Sequence, residues 1–300
     1  MATMKTLNGY GFNATEFNGK AASDYLQKTD TATNSAKLGG KAPEYYLQPR
    51  NLLDNSDFRN PVNQRGQTSY SGIWVYGIDR WAVWRNESKP GTVSIVSGGI
   101  TPSFPGMVVQ RIESKYIDSS KIYTLAAMTG DGLLVLSGEI TSTTKGMTNA
   151  NNGIYFNYLS NSHLYQIMLS AVTSASKFVW AALYEGSYTA DTLPPYVPKG
   201  YAAELAECQR YFRKGMQAVT IGTLFSSGSL FSLSVPRMRI TPTVTLTEIS
   251  SQGWGNVAAS NYTLGWNEDL GSSFYANYIS SVSDDAGKTV VVSYEMSANL

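Results

Sequence analysis

The sequence predicts an all-β protein, with an elongated N-terminal repeat neck, a jelly-roll-like β-sandwich in the middle and a smaller C-terminal β-sandwich. Three observations predict it. From residue 51 onward, short apolar-polar alternations recur between closely spaced turn signals, the pattern of sandwiches rather than of βαβ units. No helical period of useful length occurs before residue 200. A repeat with an offset of 21 residues fills the first 50 residues.

The repeat comes first. Phe17–Gln27 reads FNGKAASDYLQ and Leu38–Gln48 reads LGGKAPEYYLQ, matching at Gly, Lys, Ala, Tyr, Leu and Gln. Leu7-Asn8-Gly9 is a shorter echo. Each unit is an apolar residue, a turn and a polar segment ending in Tyr-Leu. Such a unit buries almost nothing by itself and needs neighbours. The expectation for 1–50 is an intertwined neck shared by three chains, with a flexible linker carrying chance matches as the competing reading.

The expected middle domain spans 51–200. Its expected strands are Ile73–Tyr76, Asp79–Trp84, Thr92–Val96, Met107–Ile112, Tyr123–Met128, Leu133–Ile140, Ile154–Tyr158, Tyr165–Ala171 and Lys177–Tyr184. In DRWAVW the strand period sets Asp79, Trp81 and Val83 on one face and Arg80, Ala82 and Trp84 on the other. Val83 marks the core side, so Trp81 is expected inside, with Asp79 taking backbone hydrogen bonds at the strand start. Trp84 is the ring expected to be exposed or at an interface. Trp74 and Tyr76 form another same-face pair.

TLPPYVPKG then leads to the one helix signal, Tyr201–Lys214, with Leu205, Cys208, Tyr211 and Phe212 on one face and Gly215 as its stop. The third expected domain, 201–300, follows with strands Ala218–Phe225, Ser229–Val235, Arg239–Leu246, Tyr275–Val282 and Thr289–Met296.

Composition excludes several functions. The formal net charge is +1 and charged residues are 15%, against about 25% for an ordinary globular chain. No field therefore points to nucleic acid or to an anionic membrane. No apolar run approaches a membrane span. The single cysteine, Cys208, excludes an intrachain disulfide. MATMKTLNGYGF lacks the apolar stretch of a secretory signal, so synthesis in the cytosol is expected. Aromatics reach 12%, a composition suited to neutral polar ligands such as glycans.

Several stretches carry a family resemblance. LGGKAPEYYL resembles neck repeats of phage and prophage tail fibres. NLLDNSDFRNPVNQRG followed by YGIDRW resembles the start of a carbohydrate-binding-like jelly roll in phage tail proteins. FVWAALYEGSYTAD with YAAELAECQRYFRK resembles the close of that module, and VPRMRITPTVTL the start of its C-terminal β domain. Ala182-Leu183-Tyr184-Glu185 departs from the family's Gln-Leu-Glu strand end. The resemblance implies a homotrimeric receptor-binding fibre on a virion tail, assembled in the host cytoplasm. Its implied partners are other fibre or baseplate proteins through the N-terminus and a bacterial surface glycan.

Catalytic and metal residues are expected to be absent, and so is any cofactor. His163 and Cys208 are too far apart in sequence and in context to suggest a metal site. Asp284-Asp285 and Glu268-Asp269 read as solvated turns. Asp118, Asp131, Glu139, Glu185 and Asp191 cannot be paired from sequence into the two carboxylates of a glycosidase.

The expected glycan contacts lie in the C-terminal region and at Trp84. Trp254 and Trp266 sit in Gly- and Ser-rich surroundings, read as loops, beside Asn256, Tyr262, Asn267, Tyr275 and Tyr278. Aromatic faces with amides suit sugar rings and their hydroxyls. The expected function is non-catalytic adhesion to surface polysaccharide. A structural fibre or baseplate module without glycan binding is the first alternative, and a polysaccharide depolymerase the second.

Overall fold

The computed structural model describes residues 16–17, 20–21, 49–85, 90–103, 106–139, 147–149, 153–170, 177–220, 228–234, 238–251, 262–267, 273–278 and 289–299. Of these, 16–17, 20–21, 139, 147–149, 217–220, 228–234, 246–251, 262–267, 273–278 and 289–292 are described by their backbone alone. The chain divides into two units, Met1–Pro49 with Thr192–Pro195, and Arg50–Asp191 with Tyr196–Leu300.

In the first unit, β1 (Glu16–Phe17) pairs antiparallel with β2 (Lys20–Ala21), Phe17 facing Lys20. The other repeat residues lie outside the described residues.

The second unit is all-β with one described α-helix and one short 3-10 turn at Ser114–Tyr116, and its largest part is a β-sandwich. Sheet I holds β3 (Ser69–Gly72), β6 (Gly91–Val96), β7 (Gly99–Pro102), β9 (Ile122–Thr129), β10 (Gly132–Glu139) and β14 (Phe178–Glu185), ordered β10-β9-β14-β7-β6-β3. Sheet II holds β4 (Trp74–Tyr76), β5 (Ala82–Trp84), β8 (Met107–Glu113), β11 (Met147–Asn149), β12 (Ile154–Leu159) and β13 (Leu164–Ser170), ordered β11-β12-β13-β8-β5-β4. Every described pairing is antiparallel. Consecutive strands often lie in different sheets, as in a jelly roll.

The core lies between the sheets. Sheet I contributes Val93, Ile100, Tyr123, Leu125, Phe178 and Leu183; sheet II contributes Val83, Val108, Ile112, Phe156, Ile167 and Leu169. Within most strands these residues fall on one alternating face, which is why the period-2 pattern located them; on β14 a bulge between Phe178 and Trp180 shifts that face. Trp81 belongs to this core as expected, at 1% exposure with its ring edge on Phe58.

Sheet I is covered on its outer side as well. Trp180 stacks on Tyr196 and Tyr184 meets Tyr188 edge-on. The free flank of β14 is taken by the chain at 52–58: the Leu52 N–H donates to the Leu183 carbonyl, and the Ala181 N–H to that of Ser56. Burial on both faces explains why VWAAL reads as a continuous apolar run.

Most expected strands are present with ends shifted by one or two residues, but the strand expected at Ala218–Phe225 is found at Phe212–Thr220 and the one expected at Arg239–Leu246 at Thr243–Ser251, set by pairing with the strand at Thr289–Ser297. Three corrections have physical reasons. Asp79–Arg80 is a corner rather than strand, because Arg80 takes φ 70°; the strand begins at Ala82. β3, β7 and β11 were not expected, since each is only three or four residues long. The helix α1 covers Tyr201–Cys208 only. Phe212–Lys214 belongs to β15 (Phe212–Thr220), which pairs with β20 (Thr289–Ser297). Cross-strand pairing outweighed the helical spacing of Tyr211 and Phe212. Gly215 therefore stops nothing. It sits opposite Tyr294, whose ring fills the space that a β-carbon would need.

β17 (Thr243–Ser251) completes a three-stranded sheet β15-β20-β17, and β16 (Gly228–Ser234), β18 (Tyr262–Asn267) and β19 (Ser273–Tyr278) form another, ordered β16-β19-β18. No described helix is long and apolar enough to cross a membrane.

Candidate functional site

Two sequence-distant corners, 54–55 and 79–80, meet in a buried polar hub. Asn55 takes φ 51°, a left-handed conformation that asparagine tolerates. Its side chain accepts from the Val62 N–H (2.7 Å) and donates to the carbonyls of Val62 (2.8 Å) and Asp79 (2.7 Å). Its own N–H donates to Glu204 Oε2 at 2.7 Å, and its carbonyl accepts from Trp81 Nε1 at 2.9 Å. One residue thus ties the sandwich entrance, the core tryptophan and α1 together.

Asp79 and Arg80 complete the hub. Asp79 accepts from the Gln64 N–H (2.9 Å) and Arg65 Nη1 (3.0 Å), as expected of a residue taking backbone hydrogen bonds. Burial still holds its carboxyl above the usual range. Arg80, 3% exposed, donates to Asp54 Oδ2 at 3.1 Å and to the Arg111 carbonyl at 2.9 Å, and lies 3.5 Å over the Tyr211 ring. Burial alone would raise the Asp54 carboxyl, but Arg80 and Lys199 outweigh it and hold it below the usual value. The hub anchors the entry to β5 and the backbone of β8 at Arg111.

A cleft of about 200 Å³ beside the hub is lined by Asn55, Asp57, Asn60, Lys199, Tyr201 and Glu204. Its polar groups already serve the structure: Glu204 holds Asn55, Asp57 holds Arg59 and Lys199 reaches Asp54.

The outer face of sheet II is different. Registered rows run across it: Trp74–Trp84–Met107, then Tyr76–Ala82–Val109–Met168–Tyr155, then Arg111–Gln166–Asn157. These residues alternate with those of the core, so they lie on the side away from it. Ala82 and Val109 are 0% and 1% exposed, and Met168 and Gln166 on the same face are also buried, the Gln166 amide donating to Met168 Sδ. Trp74, Tyr76, Trp84, Arg111, Tyr155 and Asn157 are half-buried. Trp74 meets Tyr76 edge-on, and the Arg111 guanidinium lies 4.0 Å over the Trp74 ring. Tyr76 and Tyr155 bound the long row, on strands about 19 Å apart at the usual interstrand spacing. The result is an aromatic bed with amide and guanidinium groups along one side. Such a surface can stack the apolar side of a sugar ring and hydrogen-bond its substituents.

Of the residues expected from sequence, Trp84 lies on this face. Trp254 and Asn256 lie outside the described residues, as do Glu268-Asp269 and Asp284-Asp285. Trp266, read as a loop residue, is in β18 opposite Phe274, and Tyr262 faces Tyr278 across the same ladder. Gly265 and Tyr275 face each other, as do Asn267 and Ser273. The loop reading failed because Gly265 weakens the local strand signal, and β19 supplies the missing ladder. Arg111, Tyr155 and Gln166 were not singled out from the sequence. The available signal was a charged residue inside an otherwise apolar strand, MVVQRIE.

Several other titratable groups have structural partners. His163 is an exposed turn residue at φ 51°, bonded through Nδ1 to the Tyr158 hydroxyl at 3.1 Å. Glu185 pairs with Lys121, and Asp118 binds Ser120 within its own turn. No group of three or more His, Cys, Asp or Glu among the described residues is arranged to hold a metal ion. Cys208 is fully buried, and burial pushes its thiol pKa up. Native protein at pH 8 should therefore resist a disulfide-exchange reagent and react at once when unfolded in denaturant. Labelling of native protein at the rate of free cysteine would contradict the buried placement.

No family model matches the chain, and no curated protein matches it either. Among solved structures, the N-terminal domain of the Streptococcus gordonii adhesin Sgo0707 aligns over 83% of this chain and 86% of its own, at 9% identity and a TM-score of 0.14. A score that low carries no argument for fold or function.

Proposed function

We propose that this chain is the receptor-binding part of a homotrimeric tail fibre, of a phage or phage-derived particle, and that it adheres without catalysis to polysaccharide on a bacterial surface. The observation that carries the reading is the outer face of sheet II. There Trp74, Tyr76 and Trp84 share a side with Arg111, Gln166 and Asn157. Rings with neighbouring hydrogen-bonding groups suit a glycan. The sandwich provides a rigid scaffold for them. The neck repeats and the order of motifs along the chain support a fibre that joins other fibre or baseplate proteins through its N-terminal region. Three copies would turn weak single sites into firm attachment.

The test is binding of fluorescently labelled full-length protein to a panel of bacterial strains. Wild-type protein should label some strains, and Trp74→Ala should weaken that binding by at least about tenfold, as loss of a stacking ring does at a binding site. Wild-type protein that labels no strain would sink the reading. A parallel Trp266→Ala variant assigns the working surface. If it alone loses binding, the C-terminal residues Tyr262, Trp266, Asn267, Tyr275 and Tyr278, with Trp254 and Asn256, carry the site.

A further inference from the structure

The strands of sheet II contain two charged residues, Arg111 and Glu113. Glu113 has partners: it pairs with Lys115 and accepts from the Tyr211 hydroxyl at 3.2 Å. Arg111 differs. Its guanidinium makes no ion pair and no hydrogen bond among the described residues, and its Nε is buried with no acceptor. Its guanidinium lies over the Trp74 ring.

A half-buried guanidinium without an acceptor is costly. Cation–π contact with Trp74 returns only part of that cost. The position is also held firmly. The Arg111 carbonyl is clamped by Arg80 of the hub, and the residue is paired in register with Gln166. The cation is thus presented on a fixed strand, beside aromatic rings and next to the amides of Gln166 and Asn157. A neutral glycan would leave its charge uncompensated, whereas a carboxylate matches the planar donor fork of arginine.

We propose that this face selects polysaccharides bearing sugar carboxylates, with Arg111 as the group that recognises the acid. The proposal rests on the reading of the face as glycan-binding and adds the substrate class. Trp74 orients the guanidinium and offers its ring to the sugar.

The test uses full-length protein and defined polymer pairs. Polygalacturonate, alginate and hyaluronan are immobilised, each beside its carboxyl-reduced counterpart, and retention is measured for wild type, Arg111→Gln, Arg111→Lys and Trp74→Ala. At least one acidic polymer should be retained, with its reduced form weaker by at least about tenfold, the scale of a charge-assisted pair. Arg111→Gln should remove that difference, and Arg111→Lys should keep part of it. Equal thermal unfolding of the arginine variants and wild type separates lost recognition from lost folding. Equal binding of acidic and reduced forms overturns the proposal, as does an Arg111→Gln variant that still discriminates. Retention of neutral polymers alone, lost in Trp74→Ala, overturns the acid selectivity and leaves the glycan reading standing. Retention of none of the polymers overturns the selectivity as well, and the strain panel then decides the glycan reading separately.

Discussion

Asn55→Ala should destabilise the protein by about 3–5 kcal/mol in urea unfolding at pH 7, one of the two largest effects expected here. The substitution leaves the buried Val62 N–H without an acceptor and the Val62 and Asp79 carbonyls without their amide donor. It also forces alanine into a left-handed conformation at φ 51°. The two contributions separate experimentally. Asn55→Gly removes the same hydrogen bonds but tolerates the backbone, so it should recover about 1 kcal/mol relative to alanine. A loss below about 1 kcal/mol for Asn55→Ala would mean that the hub does not hold the sandwich entrance. Trp81, whose indole donates to the Asn55 carbonyl, would feel the same change. Its fluorescence should respond before global unfolding.

Asp54→Ala should cost a similar amount, about 3–5 kcal/mol, because it strands a buried charge rather than removing an ion pair whole. Arg80 is 3% exposed and its Nη1 already lacks an acceptor. Without Asp54 it keeps the Arg111 carbonyl and the Tyr211 ring. The double variant Asp54→Ala/Arg80→Met should be less destabilised than Asp54→Ala alone, since no unpaired guanidinium remains. If the double variant is the worse of the two, the charge argument fails.

The sign of the pH dependence follows from the directions of the shifts. Asp54 is held below its ordinary value of 3.8, so its contribution is present above that pH and is lost as pH falls through the lower folded value. Glu204 is shifted the other way. Burial raises it above 4.5, partly offset by the Asn55 N–H and by Lys199. Its contribution is present below pH 4.5 and is lost as pH rises through the folded value. Glu204→Gln keeps an acceptor for Asn55 and removes that titration. Its stability should decline less than that of wild type as pH rises from 4.5 towards neutrality.

The hub links folding to the face proposed for adhesion. The residues that fix the entry to β5 also clamp β8 at Arg111, so buried polar groups of the sandwich position the proposed platform. A variant that loosens the hub should weaken ligand retention as well as stability. A platform variant such as Trp74→Ala should weaken retention alone.

Much of this was legible in VYGIDRWAVWRN, and part was not. The inward placement of Trp81 followed from alternation with Val83, because strand geometry repeats every two residues whatever the partner strand. The outward, half-buried placement of Trp84 followed from the same rule. Arg80 defeated it. An arginine at a strand start reads as solvent-facing, yet its partner Asp54 lies 26 residues earlier, across a turn whose path no local pattern reveals. The helix ran too long for a related reason: Phe212–Lys214 has acceptable helical spacing, but β20, far along the chain, supplies a ladder for it.

Local chemistry in the sequence by itself determined the all-β class, the positions of most strands of the sandwich and its core face. Each depends on side-chain period or on turn residues, which act over a few positions. Only the tertiary structure decided which strands neighbour one another. That pairing set Tyr76, Ala82, Val109, Met168 and Tyr155 in one row and left Arg111 beside Trp74 without an acid among the described residues. Register between strands that are distant in sequence is fixed by the packing of the whole sandwich, so a surface assembled from five strands is not encoded in any one of them.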